Sequence, residues 1–317
     1  MGIRQLTAFS FLTLVLVSCG GQKASAPSRA VAEAVGPNTY VIFGPNQLPN
    51  PVNKGFMNNP GFVVTNKGVV VIDPGSGLKI GKMVVDEIRR VTTQPVVAVI
   101  NTHIHGDHWL GNGGIIEAFP EAVIYGHPDM MERANHGAGE DWIKLINGLT
   151  DGAIVGTKPV LPSKTLNDGD VLTFGMSRLK IHHTGHAHTH GDLMVELVTE
   201  KVFFLGDIVL HGRIGRMDDG NFKGNIDAID RALAANANVY VPGHGMKGDK
   251  SIPMAYRTYL STIYETVKGL YDQGLTDFDM KPQVVENLVE FQDWGSFETE
   301  VGRQVSLCYI QVEQAAF

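Results

Sequence analysis

Val96-Val97-Ala98-Val99-Ile100-Asn101-Thr102-His103-Ile104-His105-Gly106-Asp107-His108 is the stretch on which the reading of this chain turns. Its first half is apolar and β-branched, which predicts a buried strand. Its second half sets three His and one Asp within six residues. In extended backbone, side chains at i and i+2 point the same way, so His103 and His105 can converge on one ion. Gly106 is expected to turn the chain sharply, letting Asp107 and His108 reach a second position. Imidazole and carboxylate together suit zinc. A polar loop with coincidental histidines would leave the rest of the chain unexplained.

Three later segments supply more ligands. Ile181-His182-His183-Thr184-Gly185-His186-Ala187-His188-Thr189-His190-Gly191-Asp192 carries five His in nine residues, of which one or two can be ligands. The apolar run Val202 to Leu205 ends in Gly206-Asp207, and Val239-Tyr240-Val241 ends in Pro242-Gly243-His244-Gly245. Ligands gathered from distant strand ends are how an α/β scaffold builds a site.

Around these segments the pattern alternates strands and helices. Residues 38–43 predict an edge strand, 44–60 a loop, and 61–65 and 69–73 a hairpin. Residues 78–91 have helical spacing, as do 113–119 and 128–148, with a strand at 122–126. Short strands follow at 171–174, 179–183, 193–198 and 202–205, then a helix at 226–234 and a strand at 239–241. From Pro253 the tail is mostly helical, with breaks near Gly274 and Trp294. The class is α/β, and two strand-rich halves flanked by helices predict a four-layer αββα sandwich. Domain 36–317 includes a helical C-terminal extension over 251–317.

The order His-x-His-x-Asp-His, a middle His, Gly-Asp and Pro-Gly-His resembles the metallo-β-lactamase superfamily from about residue 38 to 250. The resemblance implies the αββα fold and two Zn²⁺, with iron as the other metal the fold accepts. It implies that His103, His105 and the middle His hold one ion, that Asp107, His108 and His244 hold the other, and that Asp207 bridges them. One family pattern selects His188 as the middle ligand, through Gly185, Thr189, Gly191 and Asp192. A second pattern selects His186; we take His188. Asp73 matches a supporting Asp of the family, although a turn residue before Pro74-Gly75 explains it equally well. His127 and His211 are expected near the pocket mouth, His182, His183 and His190 on a strand face or rim, and Trp109 in the core. Loop 44–60 and residues 211–213 are expected to form pocket walls, with His211 and Arg213 as candidate substrate-binding residues.

Many β-lactamases carry Cys or Ser where this chain has Asp207, and a Lys shortly after it. Here Ile208, Val209, Leu210 and His211 follow. The bridging Asp therefore resembles that of the glyoxalase-II-like branches, and Asn59-Pro60-Gly61-Phe62-Val63-Val64, Ile72-Asp73-Pro74-Gly75 and His188-Thr189-His190-Gly191-Asp192 resemble an exported subgroup tied to quinoprotein relay and sulfur oxidation. It implies a binuclear zinc hydrolase that cleaves a small ester, thioester, lactone or amide by attack of zinc-bound hydroxide, with Asp107 orienting the nucleophile. Two Zn²⁺, two carboxylates and one hydroxide sum to +1, which suits an anionic substrate. The alternatives are a β-lactamase, a mononuclear iron persulfide dioxygenase and a non-catalytic metal-binding lipoprotein.

Composition sets the outer bounds. The net charge is −7 without dense Lys/Arg clusters, which excludes a nucleic-acid partner. Two cysteines make neither a disulfide framework nor a Cys-rich zinc site, and Cys308 reads as a small buried hydrophobe. Arg4 followed by the mostly apolar run Leu6–Val17 predicts a signal peptide over 1–18. Leu16-Val17-Ser18-Cys19 resembles a bacterial lipobox, which implies acylation of Cys19 and membrane anchoring. Residues 19–35 are expected to be a flexible tether. The expected location is the periplasm of a Gram-negative bacterium, on the outer membrane.

Overall fold

The computed structural model describes residues 30–316. The segment 1–18, Cys19 and the first part of the tether lie outside the described residues. The first half contains β1 (Ala32–Ala34), β2 (Thr39–Ile42), β3 (Gly61–Thr65), β4 (Gly68–Ile72), α1 (Leu78–Val91), β5 (Val96–Ile100), α2 (Gly106–Trp109), α3 (Asn112–Ala118), β6 (Val123–Gly126), α4 (Pro128–Arg133), α5 (Gly139–Leu149) and β7 (Lys164–Thr165). The second half contains β8 (Val171–Phe174), β9 (Ser177–His182), β10 (Met194–Leu197), β11 (Val202–Phe204), α6 (Phe222–Leu233), β12 (Val239–Val241), α7 (Ser251–Tyr271), α8 (Asp277–Asn287) and α9 (Phe297–Ala315).

Both halves build a sheet by one plan. An antiparallel meander comes first, and helical crossovers then add parallel strands. β1 to β4 are antiparallel neighbours, and β5, β6 and β7 continue the sheet in parallel. In the second sheet β8 to β11 form the meander, and α6 returns the chain to place β12 parallel to β11. A parallel neighbour requires such a crossover, and a helix supplies it.

Side-chain alternation assigns the layers. Val70, Ile72, Ala98 and Ile100 face Leu179, Ile181, Val195, Leu197, Val202 and Phe204 in the core between the sheets. Val69, Val71 and Val99 face the other way, against Val84, Val85 and Ile88 of α1 and Ile115 of α3. With both faces covered, the central strands are apolar throughout. Each of the three buried α1 side chains contributes about 1.5–3 kcal/mol. Outside the second sheet, Phe203 and Tyr240 pack with Phe222 and Ile229 of α6, Tyr256, Tyr259 and Ile263 of α7, and Val305 and Cys308 of α9. The C-terminal helices thus complete the fourth layer.

The structure corrects two expectations here. The tether does not run to residue 35: Ala32–Ala34 pairs with β2 in the register Ala32↔Ile42, so the edge strand is β1 and β2 lies inside the sheet. Backbone pairing needs no apolar side chains, and the Ala32 N–H also donates to buried Glu87. The helix expected over 128–148 breaks into α4 and α5 at a wide turn, Ala134–Ala138, where Gly137 adopts φ 94°.

Candidate metal centre

The site lies where strands end. β5 delivers His103 and His105, β11 is followed by Asp207, β12 by His244, and β4 by Asp73. The loop between β9 and β10 brings His188 from the side. Asp107 and His108 lie on the single turn of α2. Two sets of side chains result, His103, His105, His188 and Asp207, then Asp107, His108 and His244. Within each set the ligand atoms lie within 4.8 Å of one another. Asp207 connects the sets: Oδ1 is 3.1 Å from His108 Nε2, while Oδ2 is 3.3 Å from His244 Nε2 and 3.6 Å from His188 Nε2.

Hydrogen bonds fix which ring nitrogen is free. Asp73 adopts φ 52°, a conformation Asp tolerates better than most residues. Its carboxylate accepts the Thr102 N–H at 2.8 Å, the Thr102 hydroxyl at 2.7 Å and His108 Nδ1–H at 2.8 Å. The Thr102 proton is spent on Asp73, so Thr102 Oγ1 accepts from His103 Nδ1–H at 2.9 Å. His244 donates Nδ1–H to the Met57 carbonyl at 2.8 Å. His105 donates Nε2–H to Asp219 at 3.2 Å, leaving Nδ1 free 3.0 Å from His188 Nε2. Lone pairs therefore point inward at His103 Nε2, His108 Nε2, His244 Nε2 and His105 Nδ1. His103 Nε2 is buried without a partner, and the Nε2 atoms of His108 and His244 face each other at 3.4 Å. Facing lone pairs and an orphaned buried nitrogen are unfavourable in protein alone, and cations satisfy both. The donor set fits metal ions.

The charges agree. Burial, reinforced by His108, pulls the His103 imidazole well below its ordinary value, and burial with His105 pulls His188 down to about 3. Against burial, Asp207 and then Asp107 and Asp73 hold His108 well above its ordinary value, and Asp207 raises His244. Burial also opposes ionisation of the two carboxylates, yet His108 and His244 keep Asp107 low and His244 and His108 keep Asp207 low. Asp107 and Asp207 thus favour positive charge at the place where cations would sit.

The structure brings together the seven side chains singled out in the sequence and discards the alternative middle residue. His186 turns away and bonds the Asp219 carbonyl at 2.7 Å. His182 pairs with Glu196, His183 bonds the Asp192 carbonyl and stacks on His127, and His190 stacks on His186. His127 is buried, and its Nδ1 caps α4 by accepting the Asp129 N–H. His211, half-buried, spends Nδ1 on the Met246 carbonyl. Trp109 is fully buried and donates to the Ile104 carbonyl. Gly106 serves differently than expected: it opens α2 without a positive φ, and a Cβ there would run into Trp142. Asp192 closes the His188 loop, accepting the Thr189 N–H at 2.6 Å and its hydroxyl at 2.8 Å, while burial pushes its carboxyl up to about 7.

Two neighbours were not legible in the sequence. Asp219, which orients His105 and accepts from Arg133 at 3.2 Å, lies in the featureless turn Asp218-Asp219-Gly220. Trp142 sets its ring 5.0 Å from that of His105, from a helix whose spacing only announced core.

A two-sheet α/β protein in which seven His and Asp side chains converge is of the metal-binding class. The family follows from comparison: a family model described as the metallo-β-lactamase superfamily matches residues 53–244, and the chain belongs to that superfamily. A hydroxyacylglutathione hydrolase of Francisella philomiragia subsp. philomiragia is 26% identical over 165 residues, 52% of this chain and 52% of that protein. A metallo-β-lactamase type 2 of Bacillus sp. (strain 170) is 25% identical over 195 residues, 59% of this chain and 66% of that one. The matched stretch spans about half the length of the first of these relatives. In fold, the chain resembles the metallo-β-lactamase from Pontibacter korlensis, with a TM-score of 0.59 at 20% identity over 73% of this chain and 99% of that one. It also resembles the stereoselective inverting sec-alkylsulfatase Pisa1 from Pseudomonas sp., with a TM-score of 0.69 at 17% identity over 88% of this chain and 50% of that one.

Proposed function

We propose that this protein is a binuclear zinc-dependent hydrolase of a small, anionic ester, thioester, lactone or amide. The observation that carries the reading is the convergence of the seven ligand atoms in two joined sets, with inward lone pairs fixed by Thr102, Asp73, Met57 and Asp219. His103, His105 and His188 would hold one ion, Asp107, His108 and His244 the other, and Asp207 would touch both. Relatives named hydroxyacylglutathione hydrolase support the thioester among these substrates. The reading extends to an exported lipoprotein anchored through Cys19.

Bound zinc supplies Lewis acidity and a water acidic enough to attack at neutral pH. The protein's part is positioning. Asp107, 4% exposed and held ionised, offers its carboxylate as acceptor for the proton of the attacking water. Asp73 and Thr102 keep the His103 and His108 rings in the required tautomers. Trp142 packs its ring 5.0 Å from that of His105.

The test is metal analysis of the purified protein with a panel of thioesters, lactones, esters and β-lactams. Two zinc ions per chain are expected, with turnover falling about 10²–10⁴-fold in Asp107→Asn and abolished in His105→Ala. One iron without zinc, together with oxygen uptake on a persulfide donor, would replace the hydrolase by an oxidoreductase.

A further inference from the structure

From Gly215 to Asn221 the chain forms no helix or strand, so its backbone groups need partners from elsewhere. Arg213, just before this segment, is buried and bridges to Gly295 of the C-terminal extension. Helix α9 then holds the segment itself. Gln304 Nε2–H donates to the Gly215 carbonyl at 2.7 Å, and Arg303 pairs with Asp218. Further along α9, Gln311 uses both ends of its amide. Its Nε2–H donates to the Gly220 carbonyl at 2.7 Å, and its Oε1 accepts the Phe222 N–H at 2.9 Å. Phe222 opens α6, so this N–H has no partner within its own helix. Residues 304 and 311 lie two turns apart on one face of α9, and one helix thereby grips both ends of the segment.

The other side of the same turn meets the metal centre. The Asp219 carboxylate accepts His105 Nε2–H and an Arg133 N–H, each at 3.2 Å. The Asp219 carbonyl accepts His186 Nε2–H at 2.7 Å, and the Asn221 N–H donates to the Ala187 carbonyl at 2.7 Å. His186 and Ala187 directly precede His188. Two histidines of one ligand set, His105 and His188, thus rest on a turn that α9 holds from behind. The remaining histidines do not. His103 is oriented by Thr102, His108 by Asp73 and His244 by the Met57 carbonyl.

We propose that Gln311 is a positioning residue for the ion held by His103, His105, His188 and Asp207. Gln311 fixes the turn Asp218-Asp219-Gly220, and the turn fixes the His105 tautomer and the His188 loop. Without the amide, the Gly220 carbonyl and the Phe222 N–H lose their partners and the turn shifts. His105 then loses the carboxylate that selects Nε2 for its proton, and Nδ1 is no longer kept free for a cation. The ion beside Asp107, His108 and His244 has no such dependence. The effect on metal affinity rests on the two-ion reading; the effect on the His105 tautomer does not.

The test uses the full chain with zinc as the probe. In metal-free wild type at alkaline pH, long-range ¹H–¹⁵N correlation spectra are expected to show His105 protonated on Nε2. Gln311→Met, similar in length but without donor or acceptor, should show both tautomers. Zinc titration against a competing chelator should find one ion held about tenfold more weakly in this variant and the other as in wild type. Val305→Ala is the control, since it thins the core under α9 and carries no bond to the turn. It should lower the thermal midpoint and leave the tautomer and both affinities unchanged. A merely structural Gln311 would behave the same way, and that result overturns the proposal. Gln311→Glu keeps the acceptor for Phe222 but loses the donor to Gly220, and intermediate affinity is expected. Should Gln311→Met not fold, a wild-type tautomer and wild-type affinities in Gln311→Glu overturn the proposal instead. A Gln311-dependent tautomer in a protein that takes up no zinc keeps the positioning role and removes the zinc centre. Two zinc ions held with affinities and a tautomer indifferent to Gln311 do the reverse.

Discussion

His188 shows how one residue is prepared for its role. Its imidazole is buried, and its value sits near 3 rather than at the ordinary 6.5. The folded state therefore prefers the neutral ring. With the folded value depressed below the unfolded one, this preference stabilises the metal-free protein above pH 6.5 and is lost as pH falls toward 3. His188→Gln, neutral throughout, lacks this dependence. Urea unfolding of metal-free wild type and His188→Gln should show wild type losing stability relative to the variant between pH 6.5 and 4. A difference that stays constant over that interval contradicts the buried neutral ring. The same neutrality leaves His188 ready to bind a cation without first giving up a proton.

The elements make this possible by what they bring close. Parallel strands β4, β5, β11 and β12 all end at the site, so four loops meet without long excursions. The loop after β12 must pass directly under Asp207, and Gly243 is the residue there: a Cβ on it would overlap Asp207 Oδ1 and the Gly206 backbone. Gly243→Ala is accordingly expected to displace Asp207 and lower kcat/KM about 10²-fold, with overpacking taking about 1–3 kcal/mol from stability. Unchanged turnover and zinc content in that variant would show that Asp207 tolerates movement. The α4–α5 break follows the same logic of local constraint, since Gly137 at φ 94° lets the chain leave one helical axis for another.

Across the whole molecule, the fourth layer decides stability. α7 and α9 cover Phe203, Tyr240, Phe222 and Ile229 of the second half. A chain ending at residue 250 would expose this core, although it retains all seven His and Asp side chains. We expect it to be insoluble, or to show weak near-ultraviolet circular dichroism and no cooperative melting; a truncated chain melting cooperatively at the full-length midpoint would make the extension an accessory. The likeness to the alkylsulfatase fold runs over 88% of this chain, beyond the family match that ends at residue 244.

What the sequence determined by itself was whatever rests on local spacing. Apolar β-branched runs and helical spacing marked β3, β4, α1 and β5 nearly to the residue, and the His and Asp motifs at strand ends announced a metal centre. The edge strand β1 was hidden, because Ala32-Glu33-Ala34 is three residues long, has no large apolar side chain, and is held by its pairing with β2 and by a bond to the distant Glu87. The true reason for Gly106, the choice of His188 over His186, and the places of Asp219, Trp142 and Gln311 were decided only by tertiary structure. Each depends on which distant side chain arrives within a few ångströms, and chain separations of 36 to 114 residues leave no trace of that in a linear pattern.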